Sequence, residues 1–227
     1  MIITIDGPVA SGKSTVAKAL AKELGFYYLN TGLLYRATAY VLMQKFDVAE
    51  LTDKLMEGLA EHDLACLYDL SFKNIHDALH VFVHDKDLTE ELAQRVYEKP
   101  ASIISSHPLV RERLLNVQRD VAKRYSIIAD GRDCGSVVFP DADVKFFLTA
   151  SPDVRALRLF NDPKRKTAGA TVEEVKASIM QRDERDRSRS IAPLRVPEDA
   201  LMIDNSEWSF ETTVATMLAD IRKKIPK

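Results

Sequence analysis

A short glycine-rich stretch near the start of the chain, IDGPVASGKST, carries the residue types of a phosphate-binding loop. Gly7, Gly12, Lys13 and Ser14 match the pattern G-x-x-x-x-G-K-[ST], in which glycines let the backbone approach phosphate groups closely. The lysine of such a loop reaches the outer phosphates, the serine hydroxyl is a ligand for Mg²⁺, and the following helix points its first N–H groups at the anion. The spacing therefore predicts a nucleotide-binding site.

Arginines recur in short motifs outside that loop, and they indicate a second phosphorylated ligand. The motifs are TGLLYR with Arg36, HPLVRERLL with Arg111, DGRDCG with Arg132, VRALR with Arg155 and Arg158, and QRDERDRSRS. Guanidinium groups bind phosphate oxygens in a bidentate manner, and two phosphorylated substrates held head to head need many cations. Because the chain has neither a GTPase switch motif nor an Asn-Lys-x-Asp motif, the pattern favours a phosphotransferase with a phosphorylated acceptor.

The motif QRDERDRSRS predicts a helix with one charged face. Arg182, Asp186 and Arg189 lie at positions i, i+4 and i+7, so they share that face, with Arg185 beside them. A solvated helix with surface salt bridges would give the same pattern. The motif continues into IAPLRVP, however, where prolines end the helix, as a closing lid would require.

The motif SIIADGRDCG reads as an apolar strand that ends at Asp130, with Arg132 and Asp133 just beyond it. Open parallel sheets bind their ligands at the carboxyl ends of their strands. An ordinary turn after a strand is the alternative, but the position favours a role in binding for Arg132 and Asp133.

The elements that must position these motifs alternate along the chain. Short apolar strands are predicted over residues 2–5, 26–29, 126–129, 144–148 and 200–203, with helices between them. This alternation is typical of an α/β fold with a parallel sheet covered on both faces. From about residue 39 to 102 the segments LSFKN, ALHVFVHD and KDLT instead predict a small antiparallel sheet inserted into that core.

The composition limits the classes of partner. The chain has 227 residues, of which 32 are basic and 34 acidic, so no global charge attracts nucleic acid or an anionic membrane. Cys66 and Cys134 are expected to be free thiols, and neither a signal peptide nor a membrane span is expected. We therefore expect a cytoplasmic monomer that binds small molecules, with neither nucleic acid nor a membrane as partner.

The chain resembles the bacterial-type cytidylate kinases along nearly its whole length. The resemblance rests on IDGPVASGKST, LNTGLLYR, ADGRDCGSVVFPDADVKFFLTAS, RDERDRSRSIAPL and ALMIDNS, in the order and spacing of that family. It implies transfer of the γ-phosphate of ATP to CMP or dCMP with Mg²⁺. It also implies a single P-loop kinase domain over residues 1–227 with a five-stranded parallel core, a monophosphate-binding insert at about 38–102 and a helical lid at about 157–171.

The resemblance further implies which residues act. ATP would be bound by Gly7, Pro8, Val9, Ala10, Ser11, Gly12, Lys13, Ser14 and Thr15, with Arg155 and Arg158 as lid arginines and Ser14 on the metal. CMP would be bound by Thr31, Tyr35, Arg36, Ser102, Arg111, Arg132, Asp133, Arg182, Asp186 and Arg189. Within this set Ser102, Arg111 and Asp133 would read cytosine, and Lys13, Arg36, Arg132 and Arg182 would be catalytic.

Two positions depart from the pattern of that family. Asn30 stands where the family has an aspartate before the TGxxYR motif, and it lacks the charge to act as a proton or metal partner. Ala93 stands where the family has an arginine, so one contact with the acceptor phosphate is missing or is supplied by Arg95. Either change is expected to weaken acceptor affinity or to shift acceptor preference.

Two other functions remain open at the level of the sequence. A kinase for UMP, dTMP or a shikimate-like alcohol would share the loop and the lid but not the cytosine-reading residues. A regulatory module that binds ATP without turnover would need only the loop. The surplus of arginines argues against the second alternative, and the release of ADP with and without CMP separates the two.

Overall fold

Five parallel strands form the centre of the fold, which is described by a computed structural model over residues 1–76, 78–163 and 169–224. The strands are β1 (Ile2–Asp6), β2 (Tyr27–Asn30), β6 (Ile127–Gly131), β7 (Val144–Thr149) and β8 (Leu201–Asp204). They lie in the order β2-β6-β1-β7-β8, and every neighbouring pair is parallel. The predicted α/β fold class is confirmed, with each predicted strand displaced by at most two residues at either end.

A hairpin in the insert extends this sheet. Strand β3 (Leu70–Ile75) pairs antiparallel with β4 (Ala78–Val83), which pairs antiparallel with the short β5 (Lys86–Asp87). The predicted antiparallel sheet is therefore present. It is not separate from the core, because β4 joins β2 in parallel through the pair Tyr28 and Ala78.

Nine helices connect the strands within the described residues. They are α1 (Lys13–Leu24), α2 (Thr31–Phe46), α3 (Asp53–Glu57), α4 (Thr89–Leu92), α5 (Glu98–Ile104), α6 (Pro108–Ala122), α7 (Pro152–Phe160), α8 (Val172–Ser188) and α9 (Phe210–Arg222). Short 3₁₀ segments cover Glu61–Asp69 and Arg95–Tyr97, and one π-helical turn covers Cys134–Val138. The expected start of the insert, near residue 38, falls inside α2, which continues unbroken to Phe46.

Apolar side chains pack on both faces of the sheet. Along β6, Ile127 and Ala129 belong to the cluster under α2 and α6, whereas Ile128 belongs to the cluster under α1 and α9. This alternation is the period of two that places successive strand residues on opposite faces. A third cluster, containing Val9, Leu159 and Ile179, packs α7 and α8 against the phosphate-binding loop.

The lid expected at about 157–171 is only partly described. Its first residues form the end of α7, Gly169 to Thr171 precede α8, and residues 164–168 lie outside the described residues. No helix in the described ranges is both long and apolar enough to cross a membrane.

Candidate active site

The glycine-rich loop joins the end of β1 to the start of α1. Gly7 has φ of 151°, and a Cβ atom at this position would lie 2.0 Å from the carbonyl oxygen of Leu148, so only glycine fits. The first helical residue is Lys13, whose Nζ lies 2.6 Å from the carbonyl oxygen of Pro8 and 3.5 Å from Oγ of Ser11. The ammonium group therefore lies against the loop, at the place where an anion would bind.

The electrostatic state of Lys13 fits a phosphate site. Its side chain is 5% exposed, and this burial, reinforced by the charge of Arg132, holds its pKa well below the usual range. A bound phosphate would reverse both effects by supplying opposite charge. A nucleotide phosphate can therefore stabilise the charged form of the buried lysine.

Asp130, at the end of β6, lies at the centre of the site and was not assigned a role by the sequence. Its Oδ2 accepts a hydrogen bond from Ser14 Oγ at 2.6 Å, and its Oδ1 accepts one from the Tyr28 hydroxyl at 3.0 Å. The Thr31 hydroxyl donates to its backbone oxygen at 2.7 Å. The signal that could have pointed to Asp130 is its position at the end of a predicted strand. The pairing of β1 with β6 then allows its contact with Ser14.

The oxygen ligands in the site suit Mg²⁺, which shares its coordination with phosphate and water, and not a metal bound by protein side chains alone. Among the described residues no group of three or more His, Cys, Asp or Glu side chains could hold a metal ion. Mg²⁺ is usually bound through one or two protein oxygens together with phosphate oxygens and water. The Ser14 hydroxyl and the Asp130 carboxylate, 2.6 Å apart, supply that number of oxygens.

A cleft of about 810 Å³ opens in front of these residues. Nine of the ten predicted acceptor residues line it, which are Thr31, Tyr35, Arg36, Ser102, Arg132, Asp133, Arg182, Asp186 and Arg189. Arg182 and Asp186 share the predicted face of α8, whereas Arg189 is the extended residue just past the end of that helix. All three side chains line the cleft. The tenth residue, Arg111, lies behind the wall of the cleft.

The wall at Arg111 is a buried network of charges. Arg111 donates to the Asp133 carboxylate through Nη2 and to the carbonyl oxygen of Ser105 through Nη1, the latter at 2.9 Å. Arg189 Nη2 reaches the other oxygen of Asp133 at 3.4 Å. Asp133 is thus fixed between two guanidinium groups, and Arg111 positions it rather than facing the cleft. Ser102 Oγ is buried beside this network, and it has no hydrogen-bond partner within the described part of the chain.

Three further ion pairs hold arginines that line the cleft. Arg132 Nε donates to Oδ2 of Asp186 at 2.8 Å. Burial lowers the pKa of Arg132, but the carboxylates of Asp186, Asp183 and Asp130 together outweigh it and raise that pKa above the usual value. Glu98 contacts both Arg182, at 2.5 Å, and Arg36, at 3.6 Å. Glu98 was not noticed in the sequence, because a glutamate in an insert helix has no motif of its own.

Arg155 does not lie where the sequence suggested. It is 4% exposed, and it donates to the carbonyl oxygens of Ala150 and Val9 and to Oδ2 of Asp183. Asp183 Oδ1 in turn accepts from the backbone N–H of Val9 at 3.0 Å. Since its donors serve protein acceptors, Arg155 braces the phosphate loop against α7 and α8 and does not face an ATP cleft.

Arg158 lies beside the glycine-rich loop and does not line the cleft of about 810 Å³. It lines a second cleft together with Gly12, Lys13, Ser14 and Thr15. Its guanidinium group donates to the side-chain and backbone oxygens of Asn205, both at 2.9 Å. The contact of Arg158 with ATP stays a prediction, and Asn205 is a positioning residue that the sequence did not indicate.

Asp6 is a second residue that sequence reasoning missed. It is fully buried at the end of β1, and its two carboxylate oxygens accept from the N–H groups of Cys134 and Gly135 at 2.8 and 2.7 Å. Burial raises its pKa to about 7, against the lowering effect of the two hydrogen bonds. Asp6 therefore ties the phosphate loop to the turn that carries Arg132 and Asp133.

The two departures noted in the sequence have structural consequences. Asn30 lines the cleft, and its side chain accepts from the N–H of Leu33 at 3.2 Å, so it caps α2. The backbone oxygens of Leu92 and Ala93 accept hydrogen bonds from Arg36 Nη1, both at 3.2 Å. Arg95 lines a different cleft, beside Glu98 and Arg182, rather than the acceptor cleft.

Comparison with known proteins identifies close relatives. A family model described as cytidylate kinase matches residues 3–223. The cytidylate kinase of Actinobacillus succinogenes is 38% identical over 225 residues, covering 99% of both chains. That of Chloroherpeton thalassium is 40% identical over 224 residues, covering 96% of this chain and 91% of the relative. The crystal structure of an uncharacterized protein from Eubacterium ventriosum has the same fold, with a TM-score of 0.55, 14% identity and 98% coverage of both chains.

Proposed function

Because the chain belongs to the cytidylate kinase family, we propose that its acceptor cleft holds CMP with the phosphate toward Lys13 and the base toward Asp133. The protein transfers the γ-phosphoryl group of ATP to CMP, giving ADP and CDP. The single observation that supports the orientation is the division of the cleft. The charges of Arg132 and Arg182 act on Lys13 at the phosphate loop, whereas Asp133 is bonded to Arg111 and Arg189. We propose that dCMP is an acceptor as well, giving dCDP.

The phosphate end is suited to neutralising charge. In-line transfer between two phosphates develops little new covalent chemistry for the protein, so positioning and electrostatic stabilisation dominate. We assign Arg36, Arg132 and Arg182 to the acceptor phosphate and Lys13 to the phosphates of ATP, and these four are the proposed catalytic residues. Since the attacking phosphate oxygen is already ionised, no general base is required.

The base end is suited to cytosine. Cytosine carries an exocyclic amine where uracil carries a carbonyl, so a carboxylate accepts a hydrogen bond from cytosine but repels uracil. The two arginines that flank Asp133 pair with its two oxygens and fix the direction of the carboxylate. The buried Ser102 hydroxyl offers a further polar contact at the same end. We assign base reading to Asp133 and Ser102, with Arg111 as the residue that positions Asp133.

We assign the donor nucleotide to the residues of the loop, Gly7 to Thr15, and to Arg158. Mg²⁺ supplies charge neutralisation between the phosphates when it is bound, and Ser14 and Asp130 are the side chains that would hold it. Val9 helps to fix the shape of the loop, because its backbone N–H is bonded to Asp183 and its carbonyl oxygen to Arg155. Loop geometry is thus set before ATP arrives.

We also propose that residues of about 38–102 and 157–171 form the acceptor subdomain and the lid, and that both close over the bound substrates. Closure would exclude water that otherwise hydrolyses ATP. Hydrogen exchange in both segments should slow when a bisubstrate analogue binds. Unchanged protection in the two segments would contradict closure.

Acceptor choice tests the proposal directly. Purified protein is assayed for ADP release with ATP, with and without Mg²⁺, against CMP, dCMP, UMP, dTMP, AMP and shikimate. We expect CMP and dCMP to give the largest kcat/KM and turnover to require Mg²⁺. A larger kcat/KM for UMP or shikimate would contradict the assignment of the base wall. The absence of ADP release with every acceptor would favour a binding module.

The wider cellular setting is part of the same proposal. The balanced charge of the chain and the two free cysteines, one of them buried, fit a monomer in the cytoplasm that binds small molecules and no nucleic acid. Light scattering during chromatography tests the oligomeric state. A stable dimer at micromolar concentration would contradict the monomer.

A further inference from the structure

A buried glutamate contacts two arginines of the acceptor cleft at once. Glu98, at the start of α5, is 8% exposed. Its Oε2 lies 2.5 Å from Arg182 Nη1 on α8, and its Oε1 lies 3.6 Å from Arg36 Nη2 on α2. Three separate helices therefore meet at one carboxylate.

Glu98 reaches the two guanidinium groups from behind the acceptor cleft. Arg36 and Arg182 line that cleft and Glu98 does not, whereas Glu98 and Arg182 both line a neighbouring cleft of about 1030 Å³. Arg36 is also held in place by its Nη1 group, which donates to two backbone oxygens at the end of α4. Donors of both arginines are thus directed away from the place where an acceptor phosphate would lie.

A carboxylate in this position opposes a phosphate in two ways. It occupies N–H donors that bind phosphate oxygens, and its negative charge repels an incoming dianion in a site screened little by water. A phosphate group offers more oxygens and more charge than a carboxylate, so it can replace the carboxylate, but only at a cost in binding free energy.

We propose that Glu98 determines the affinity of the acceptor-phosphate subsite, because CMP must take Arg36 and Arg182 from its carboxylate on binding. This inference rests on the proposed function, in which both arginines bind the acceptor phosphate. Glu98 is a specificity-determining residue for phosphorylated acceptors and not a catalytic one. Its effect falls on ligands that carry the phosphate and spares the nucleoside part.

Glu98→Gln tests this idea, since glutamine keeps the size of the side chain and removes its charge. Calorimetry measures the affinity of CMP, of cytidine and of inorganic phosphate for the wild type, for this variant and for Glu184→Gln. Glu184 is an exposed residue on α8, so its substitution controls for the loss of one negative charge. We expect CMP and inorganic phosphate to bind about three- to tenfold more tightly to Glu98→Gln, with cytidine unchanged and Glu184→Gln equal to wild type.

Unchanged or weaker binding of CMP by folded Glu98→Gln would overturn the proposal, as would equal tightening of cytidine. A crystal structure of the wild type with CMP gives a test that needs no variant. Arg36 and Arg182 should then contact the phosphate and no longer lie within 4 Å of the Glu98 carboxylate, and intact ion pairs would overturn the proposal. Failure of the proposed function would look different, because the wild type itself would not phosphorylate CMP.

Discussion

The Ser14 hydroxyl lies 2.6 Å from Oδ2 of Asp130, which joins the first turn of α1 to the end of β6. The two residues are far apart in the sequence, and the pairing of β1 with β6 brings them together. Each is an oxygen ligand of the kind that Mg²⁺ accepts. The hydrogen bond between them is therefore the one that a bound metal would replace.

Asp130→Asn is expected to raise the Mg²⁺ concentration needed for half-maximal turnover by at least about tenfold. The substitution removes a charged metal ligand but keeps an oxygen that can accept from the Tyr28 hydroxyl. Turnover at saturating ATP and CMP is measured against free Mg²⁺. Asp141→Asn, at an exposed position, is the matched control. An unchanged Mg²⁺ dependence would remove Asp130 from the metal site.

Asp133→Ala is expected to lower kcat/KM for CMP and to narrow the ratio of kcat/KM for CMP over UMP. A buried carboxylate penalises the mismatched base by about 2 to 5 kcal/mol, because it is left without a partner. Asp133→Asn is the more conservative variant, since its amide can donate to the uracil carbonyl, and it should move the ratio further toward UMP. An equal loss for both substrates would show that Asp133 acts only through structure.

Replacement of all five histidines by glutamine is expected to leave kcat within about tenfold of wild type. None of them lines the acceptor cleft or the second cleft beside the loop. His80 is paired with Asp87 in the insert hairpin, and His107 precedes α6. Lys13→Ala is the positive control, because losing a phosphate clamp of this kind costs about 3 kcal/mol, or roughly a hundredfold in kcat. A large loss of kcat in a folded His-free protein would indicate a histidine general base.

Asp6 is expected to make the protein less stable as the pH rises from about 4 to 7. Its pKa is raised from 3.8 to about 7 in the folded protein, so the folded state keeps a proton that the unfolded state has already lost. The free energy of unfolding should fall across that window by up to about 4 kcal/mol from this group. Urea unfolding of wild type and Asp6→Asn gives the contribution, since only the wild type should show it.

Parallel pH curves for the two proteins would contradict this prediction. A carboxyl titration of Asp6 by NMR in the wild type provides a second measurement that does not depend on the folding of the variant. A titration midpoint near 4 would show that the hydrogen bonds from Cys134 and Gly135 offset the effect of burial on the pKa.

Local patterns in the sequence sufficed for the strands, the phosphate loop and the charged face of α8. Each of these depends on spacing along the chain, such as the i and i+4 positions of Arg182 and Asp186. Arg155 could not be placed in this way, because the direction of its guanidinium group is set by Asp183 on another helix. Glu98 and Asp6 were missed for the same reason. The partners of these two residues described above lie 62 or more positions away in the sequence, and no motif links them.

The pairing of β4 with β2 involves a single residue pair, Tyr28 and Ala78. By contrast, β4 is bonded to β3 along its whole length. Its residues Leu79, Val81 and Val83 are buried in the same apolar cluster as Leu34 and Ile127. A hydrogen bond is worth about 1 kcal/mol net, so this strand pairing alone contributes little to the attachment. The hairpin is therefore held to the five strands that carry the reacting groups by side-chain packing rather than by a long backbone ladder.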